Sequence, residues 1–336
     1  MILCKKSIGF IFLLFFLHIS NIFGQDAHYS QFYANPVFLN PAFTGTLNCP
    51  RFCINFRDQY PTIPNNFISF SGSYDQHIRA LHGGVGLLFA ADIQGSGIFS
   101  AYNAGLIYTY RIQAGENFFL QFALQGSYGI ISLKWEKLVF ASNILNSSLP
   151  HDAPSNINFT KSQFDAGIGA VGYTRNLYFG LAVHHFLPIH KNFYPITNAN
   201  DKWSIKWTGH FGGKINIIKK RNDEDSYGDV SVYPNIVFLS QKDFHYLHEG
   251  FYFSLYPLTI GTWLRHNFKS LDAFIISCGV EYKIVRMGYS YDFSLTKLEN
   301  SGGAHEISIQ FVIPCINETL SSKSKRKYPS VACPRF

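Results

Sequence analysis

The sequence predicts an all-β protein, a transmembrane antiparallel β-barrel of about 14 strands, and three features predict it. Charged residues make up only 15% of the chain, whereas a soluble domain carries roughly 25%. Long segments alternate polar and apolar residues with a period of two, as strands with two different faces do. Beyond the N-terminus, no run is apolar for the ~20 residues that a membrane-spanning helix needs.

The alternation is clearest between residues 205 and 217. One face carries Lys206, Thr208, His210, Gly212, Lys214 and Asn216, and the other carries Ile205, Trp207, Gly209, Phe211, Gly213, Ile215 and Ile217. The same split recurs at 120–130 and at 306–313. Because successive side chains of a strand point to opposite faces, each of these segments predicts a strand with one polar and one apolar face.

A soluble β-sandwich also alternates, because one face of each sheet packs on the other sheet and the second face meets water. Three features favour a membrane barrel. The segments run about 9 to 13 residues, close to the ~9 to 11 of tilted membrane strands. Their polar faces are mostly small or uncharged, which suits a barrel interior. Aromatic residues cluster near strand ends, as in interfacial girdles, at Tyr108, Tyr110, Trp203, Trp207, Tyr252 and Tyr256.

Fourteen strands are predicted along the chain. They lie near 51–57, 66–76, 83–92, 98–112, 117–134, 162–175, 177–187, 205–219, 229–241, 244–256, 258–267, 272–281, 283–293 and 304–313. An even number lets both ends of a single-chain bacterial barrel lie on the periplasmic side. The sheet must close because lipid offers no partner to the backbone groups of an open edge.

The N-terminus predicts a secretory signal peptide, because Lys5 and Lys6 precede the apolar run Ile8 to Ile19 and small Gly24 stands before Gln25. We therefore expect a signal peptide at 1–24, an irregular segment at 25–50, an outer-membrane barrel at 51–313 and a basic periplasmic tail at 314–336. Three long polar connections, 141–161, 188–202 and 220–228, are expected to face outward, as extracellular loops commonly do.

Residues 31–45 differ from the strands that follow. Two Asn-Pro steps, Asn35-Pro36 and Asn40-Pro41, disfavour both a helix interior and a strand interior. The segment nevertheless carries several large apolar side chains. It is expected either to plug the lumen or to lie at the periplasmic rim, and the alternative is a simple lead-in to the first strand.

Five cysteines remain after processing, namely Cys49, Cys53, Cys278, Cys315 and Cys333. An oxidising compartment permits disulfides, and either Cys49–Cys53 or Cys315–Cys333 is close enough in sequence to bridge. Spacing alone does not choose between these pairings. No zinc-binding spacing accompanies the cysteines, so no metal is expected.

No motif predicts catalysis, a cofactor or nucleic-acid binding. The most suggestive histidines, His184, His185, His210, His245 and His248, have no catalytic or metal spacing, and a bound lipid, a small ligand or a hydrolase remain minor alternatives. Much of the positive charge lies in the C-terminal tail rather than on a folded face. The glycines near 83–86 and 95–97 are followed by strand-like residues rather than a helix, which indicates close packing or tight turns instead of a phosphate loop.

Several motifs occur in order along the mature chain. They are Ser30-Gln31-Phe32-Tyr33, Asn40-Pro41-Ala42-Phe43-Thr44-Gly45, Phe56-Arg57-Asp58-Gln59-Tyr60-Pro61, Ser73-Tyr74-Asp75, Gly83-Gly84-Val85-Gly86, Asp92, Gly95-Ser96-Gly97, Tyr289-Ser290-Tyr291-Asp292, Gly303-Ala304-His305-Glu306-Ile307-Ser308 and Cys333-Pro334-Arg335-Phe336. In these residues the chain resembles the PorP/SprF family of the Bacteroidetes type IX secretion and gliding machinery.

The resemblance implies a non-enzymatic barrel in the outer membrane that helps secrete, or anchors at the cell surface, adhesins and other proteins with a type B C-terminal sorting domain. Its expected partners are outer-membrane lipid, the client protein and other type IX components. A structural or partner-binding role is implied for the motif residues Gln31, Phe32, Tyr33, Asn40, Pro41, Ala42, Phe43, Gly45, Arg57, Asp58, Gln59, His305, Glu306, Cys333, Pro334, Arg335 and Phe336. The alternative function is a passive or substrate-selective pore, because the inner faces are polar.

Overall fold

A computed structural model describes residues 26–47, 49–134, 137–138, 160–187, 204–218, 230–296 and 301–314. One short α-helix, α1 (Pro36–Leu39), and two 3-10 helices, η1 (Pro41–Phe43) and η2 (Arg79–Leu81), accompany the strands. None of the helices in this part of the chain is long and apolar enough to cross a membrane.

The described residues form fifteen strand segments. They are β1 (Arg51–Gln59), β2 (Phe67–Ile78), β3 (Gly83–Gln94), β4 (Phe99–Gln113), β5 (Phe119–Leu133), β6 (Thr160–Tyr173), β7 (Leu177–His184), β8 (Lys206–Gly213), β9 (Ile215–Ile218), β10 (Val230–Gln241), β11 (Phe244–Leu255), β12 (Leu258–His266), β13 (Leu271–Tyr282), β14 (Val285–Ser294) and β15 (Ala304–Val312).

The sheet closes into a barrel of 14 strand positions. Each strand pairs antiparallel with its sequence neighbour, and β1 pairs with β15 to complete the ring. The segments β8 and β9 both pair with β10 and are separated only by Lys214, so together they occupy one position in the barrel. The predicted fold class and strand number are therefore confirmed.

The two faces of the sheet follow the period-two pattern. In β1 the apolar side chains of Phe52, Ile54 and Phe56 are exposed on the outside, while Asn55 and Arg57 are buried inside. An apolar exterior matches a surface that meets lipid. One expectation was wrong, because Tyr252 does not join an outer aromatic girdle. Its ring is fully buried in the lumen against Trp263, with ring centroids 5.2 Å apart.

Strand direction defines two ends of the barrel. The terminal end is where β1 begins and β15 finishes, and the far end is opposite. The connections at 134–159 and 185–205 both lie at the far end, as their flanking strands show. The expectation that 220–228 faces the same way was wrong, because β9 ends and β10 begins at the terminal end. Residues 220–228 and most of the other two connections lie outside the described part of the chain.

Residues 26–47, which we call the luminal segment, lie inside the barrel. Hydrogen bonds join this segment to β1, β2, β4, β5, β6, β7, β8, β10, β12, β14 and β15. Only a position within the closed ring reaches strands on all sides. The segment enters at the far end, where Asp26 contacts Gln241, and descends to the terminal end, where β1 starts.

Candidate functional site: the luminal segment and its polar contacts

The two Asn-Pro steps set the local structure of the luminal segment. Pro36 opens α1 and Pro41 opens η1, positions where the missing N–H of proline costs no hydrogen bond. Asn40 then caps η1, because its side-chain oxygen accepts from the amide of Ala42 at 2.9 Å. Both helices stop after one turn, and the chain continues as an irregular path fitted to the barrel wall.

Aromatic side chains fill the middle of the lumen. Phe32 packs edge-on against His248 with ring centroids 4.6 Å apart. Phe43 stacks on His210 at 4.9 Å, and Tyr33 meets Tyr178 edge-on at 5.7 Å. The four Phe and Tyr rings belong to one buried apolar cluster, and the two histidines lie against it. Burial of large aromatic surfaces contributes much of the packing energy of such a core, so the segment is seated primarily by its Phe and Tyr residues.

The backbone near Ser30 is held by a carboxylate of the last strand. The amides of Ser30 and Gln31 donate to the two oxygens of Glu306 at 2.7 and 3.0 Å. The Gln31 side chain donates to the Glu306 carbonyl at 2.9 Å and accepts from the Ser308 hydroxyl at 2.6 Å. Hydrogen bonds to a charged group are stronger than neutral ones, so Glu306 fixes this part of the segment.

Arg57 links the same carboxylate to a second one. Its guanidinium donates to Asp292 at 2.9 Å, to Glu306 at 3.1 Å and to the Ser30 hydroxyl at 2.9 Å. Arg265 also donates to Asp292 at 2.9 Å. The Arg57 and Glu306 side chains are almost completely buried. Buried charges are tolerated only when paired and hydrogen-bonded, and here two arginines balance two carboxylates around Ser30.

A second polar cluster holds the segment near the terminal end. Asp75 accepts from Arg51 at 2.8 Å and from the Gly45 amide at 2.8 Å, and Arg111 donates to the Gly45 carbonyl. Gly45 has a φ of +71°, and a Cβ built on Gly84 would lie 2.5 Å from the Thr44 carbonyl. The predicted close packing at these glycines is therefore an approach of two backbones, which only glycine permits.

His185 joins the N-terminal end of the luminal segment to the barrel wall. Its Nε2 lies 2.6 Å from Asp26 and its Nδ1 lies 2.7 Å from Asp165, and Lys206 lies 3.7 Å from Asp26. Burial lowers the pKa of His185, but the two carboxylates outweigh burial and raise that pKa to about 9. Burial raises the pKa of Asp26, but His185 and Lys206 hold it well below the usual range.

The structure separates the predicted motif residues into two groups. Inside the barrel lie Gln31, Phe32, Tyr33, Asn40, Pro41, Ala42, Phe43, Gly45, Arg57 and Glu306. The others do not join them. Asp58 and His305 are opposite each other across the β1–β15 seam, on the strand face turned away from Arg57 and Glu306. Asp58 accepts from Asn66 at 2.6 Å and Gln59 lies half-buried at the far end. Cys333, Pro334, Arg335 and Phe336 lie outside the described residues.

Cysteine pairing differs from one expectation. Cys49 is disulfide-bonded, whereas Cys53 is a buried free thiol. The Cys49–Cys53 pairing is therefore wrong, and the partner of Cys49 lies outside the described residues. Cys53 points inward from β1, which explains its burial. The proposed Cys315–Cys333 bridge also falls outside the described part of the chain.

Sequence reasoning missed several residues that hold the segment. Asp292 and Asp75 occur in the family motifs but carried no assigned role, and Asp26 and Arg265 carried no signal beyond their residue type. His185 was considered only as a catalytic or metal-binding residue. Among the described residues, no group of three or more His, Cys, Asp or Glu side chains could hold a metal ion. The site consists of ion pairs and aromatic contacts that position a chain segment.

Solved structures of several barrels resemble the chain. The toluene transporter TbuX of Ralstonia pickettii has a TM-score of 0.49 at 8% identity, covering 83% of this chain and 93% of its own. The outer membrane protein Omp33 of Acinetobacter baumannii has a TM-score of 0.41 at 8% identity, covering 80% and 100%. A Pseudomonas aeruginosa FadL homologue has a TM-score of 0.39 at 11% identity, covering 78% and 90%.

A comparison with curated protein sequences finds no match. The model of one protein family, described as type IX secretion system membrane protein PorP/SprF, matches residues 21–311. That range includes the whole luminal segment and nearly all of the barrel. The motifs that build the interior, from Ser30 to Glu306, therefore lie within the family's own pattern, and the chain belongs to the PorP/SprF family of type IX secretion system membrane proteins.

Proposed function

We propose that this protein is a non-enzymatic outer-membrane barrel that helps secrete, or anchors at the cell surface, proteins with a type B C-terminal sorting domain. The family match over residues 21–311 carries the proposal. Before insertion, the chain is exported by the Sec pathway of a Bacteroidetes-like bacterium and loses residues 1–24. Its further partners are outer-membrane lipid and other components of the type IX system.

The filled lumen supports anchoring over passive conduction. Residues 29–46 are buried apart from Phe38, which is partly exposed. Conduction requires a continuous polar path through the barrel. Along this axis the luminal segment replaces such a path with packed aromatic rings and paired charges, so a passive pore is the weaker interpretation.

Loop lengths support an orientation with the far end outside the cell. Two long connections, 134–159 and 185–205, leave the barrel at the far end. Five of the six terminal-end connections between strands have at most five residues, including 174–176 and 283–284, and the exception is 219–229. Short periplasmic turns and longer extracellular loops are usual for such barrels. The far end is therefore the face that we expect to meet a surface-displayed client.

Site-specific photocrosslinking tests this function in cells. A photoreactive amino acid replaces Phe268, an exposed residue in the far-end turn between β12 and β13. The matched control replaces Leu81, an exposed residue in the terminal-end turn before β3. We expect a large secreted protein with a type B sorting domain to crosslink to position 268 and not to position 81.

Two outcomes would contradict this proposal. Repeated failure of both positions to capture such a protein would argue against a client at the barrel. Capture at position 81 alone would place the client on the periplasmic face and would refute surface anchoring. In parallel, planar-bilayer recordings distinguish the pore, since steady conductance without a partner would support passive transport.

A further inference from the structure

A cavity of about 410 Å³ lies inside the barrel on the far-end side of the luminal segment. Small residues on three neighbouring strands form part of its wall, namely Ala90 of β3, Ala101 of β4 and Gly129 of β5. Tyr29 and Phe38 of the luminal segment form another part. Ligand pockets in proteins typically enclose ~300 to 1,000 Å³, so this space suffices for a compact organic molecule.

The charged groups around the cavity already have partners. Asp92 accepts from Ser69 at 2.8 Å and from Gln94 at 2.6 Å. Asp165 is paired with His185 at 2.7 Å, and the same histidine and Lys206 balance Asp26. Both oxygens of Asp92 thus accept hydrogen bonds from neutral groups, and both cations are paired with Asp26 and Asp165. A charged ligand would have to displace one of these contacts, so the cavity favours an uncharged molecule.

Two buried polar atoms on the described wall of the cavity are left without a partner. Gln125 is only 8% exposed, lines the cavity, and its Oε1 atom accepts no hydrogen bond. The Nε2 atom of His184, on the same wall, is also buried and unpartnered. Buried acceptors are nearly always paired in proteins. The Gln125 oxygen therefore marks the position at which a ligand would place an N–H or O–H group.

We propose that this cavity is a binding site for a compact, uncharged molecule with a largely apolar body and one N–H or O–H donor. The donor is bound by the Gln125 carboxamide oxygen. The apolar body packs against Tyr29 and Phe38 and fills the part of the cavity next to Ala101. This site is distinct from the surface that we expect to bind a client, so the two proposals stand or fall separately.

Indole is a suitable probe, because it combines a two-ring apolar body with a single N–H donor, and 1-methylindole lacks the donor. Calorimetric titration of the detergent-solubilised mature protein, corrected with a detergent blank, measures both affinities. We expect saturable binding of indole at one site. Loss of one hydrogen bond typically changes affinity about fivefold, so 1-methylindole should bind about fivefold more weakly.

Two variants identify the site. Ala101→Phe fills the cavity and should abolish binding, whereas Ala104→Phe makes the same change on the outward face of the same strand and should not. Gln125→Leu should weaken indole about fivefold and leave 1-methylindole unchanged. A heat-modifiable band on SDS gels shows that each variant is folded, and if Ala101→Phe fails to fold, the Gln125→Leu comparison decides.

Three results would overturn the inference. The first is an absence of saturable indole binding to the wild-type barrel. The second is equal binding by folded Ala101→Phe and Ala104→Phe. The third is equal weakening of both probes by Gln125→Leu, since that would remove the oxygen from any role in recognition.

Discussion

Replacing Arg57 with methionine tests whether the buried charge network holds the luminal segment. The Arg57 guanidinium donates to Asp292, Glu306 and the Ser30 hydroxyl at 2.9, 3.1 and 2.9 Å, and its side chain is only 2% exposed. Methionine has a similar length but no charge and no donor. The Arg57→Met variant therefore leaves two buried carboxylates without one of their cations, while the volume of the site changes little.

The size of the effect follows from the remaining contacts. Removing one partner of a buried ion pair typically costs ~3 to 5 kcal/mol. Asp292 keeps its bond to Arg265 at 2.9 Å, and Glu306 keeps the amides of Ser30 and Gln31. We therefore expect a loss near the lower limit, about 3 kcal/mol. At roughly 2 °C per kcal/mol for a large domain, the unfolding temperature should fall by roughly 5 °C or more.

The assay is the heat-dependent shift in SDS-gel mobility that marks barrel unfolding. A double variant, Arg57→Met with Glu306→Gln, serves as the control, because it removes one of the uncompensated carboxylates together with the arginine. It should unfold at a higher temperature than Arg57→Met alone, as expected for coupled buried charges. If Arg57→Met unfolds within 1 or 2 °C of the wild type, or if the double variant is less stable than the single one, the network does not act as described.

Three further predictions concern the contact of His185 with Asp26 and Asp165, the outer face and the lumen. The His185 pKa is raised to about 9. The stability that protonation of His185 contributes is therefore complete below about pH 6.5 and is lost as the pH rises through about 9. The unfolding temperature should fall over that pH range in the wild type and not in His185→Gln. Phe211→Arg, on the outer face, should lower barrel abundance in outer-membrane fractions because Arg near the midplane costs ~2 to 4 kcal/mol, whereas Lys214→Ala should not, and equal abundance would reverse the assigned faces. Gly84→Ala should displace the luminal segment and raise single-channel conductance, whereas Gly126→Ala, whose Cβ would meet nothing within 4 Å, should leave the barrel closed.

The period-two pattern predicted the barrel because membrane strands expose nearly every second side chain to lipid, which gives a strong signal over long segments. The pattern assigns each side chain to a face of its strand. It does not give the position of the side chain along the barrel axis or the residue that it contacts. Arg57 and Glu306 both stood in recognised motifs, yet their contact depends on the β1–β15 register that only the closed sheet sets. The luminal segment lacks periodicity altogether, so the sequence left its place at the lumen or the rim open.

The two wrong expectations about the barrel have physical reasons. Tyr252 was assigned to a girdle on aromatic content alone, although its neighbours at the same period, His248 and Gly250, are not lipid-facing residues. The connection at 220–228 was assigned outward on length alone. The position of a strand in the barrel decides the end instead. Every even-numbered strand position finishes at the terminal end, where β1 begins and β15 finishes.

The path of the luminal segment links part of its hydrogen bonding to barrel closure, because the strands that close the ring also bind this segment. Residues 30–34 of the segment are bound by the last two strands, through Asp292, Glu306 and Gln310, the last of which donates to the Tyr33 and Ala34 carbonyls at 3.2 and 2.9 Å. Ser30, Tyr33 and Ala34 therefore gain these partners only when β14 and β15 have been added. Asp26, in contrast, is bound by residues from the middle of the chain. A chain halted before β14 would keep the aromatic rings of the segment and Arg57, but it would lack the Asp292 and Glu306 carboxylates that bind Ser30. The hydrogen bonds of Ser30 and Gln31 to Asp292 and Glu306 can thus form only in a barrel whose C-terminal strands are present, so these bonds depend on complete assembly.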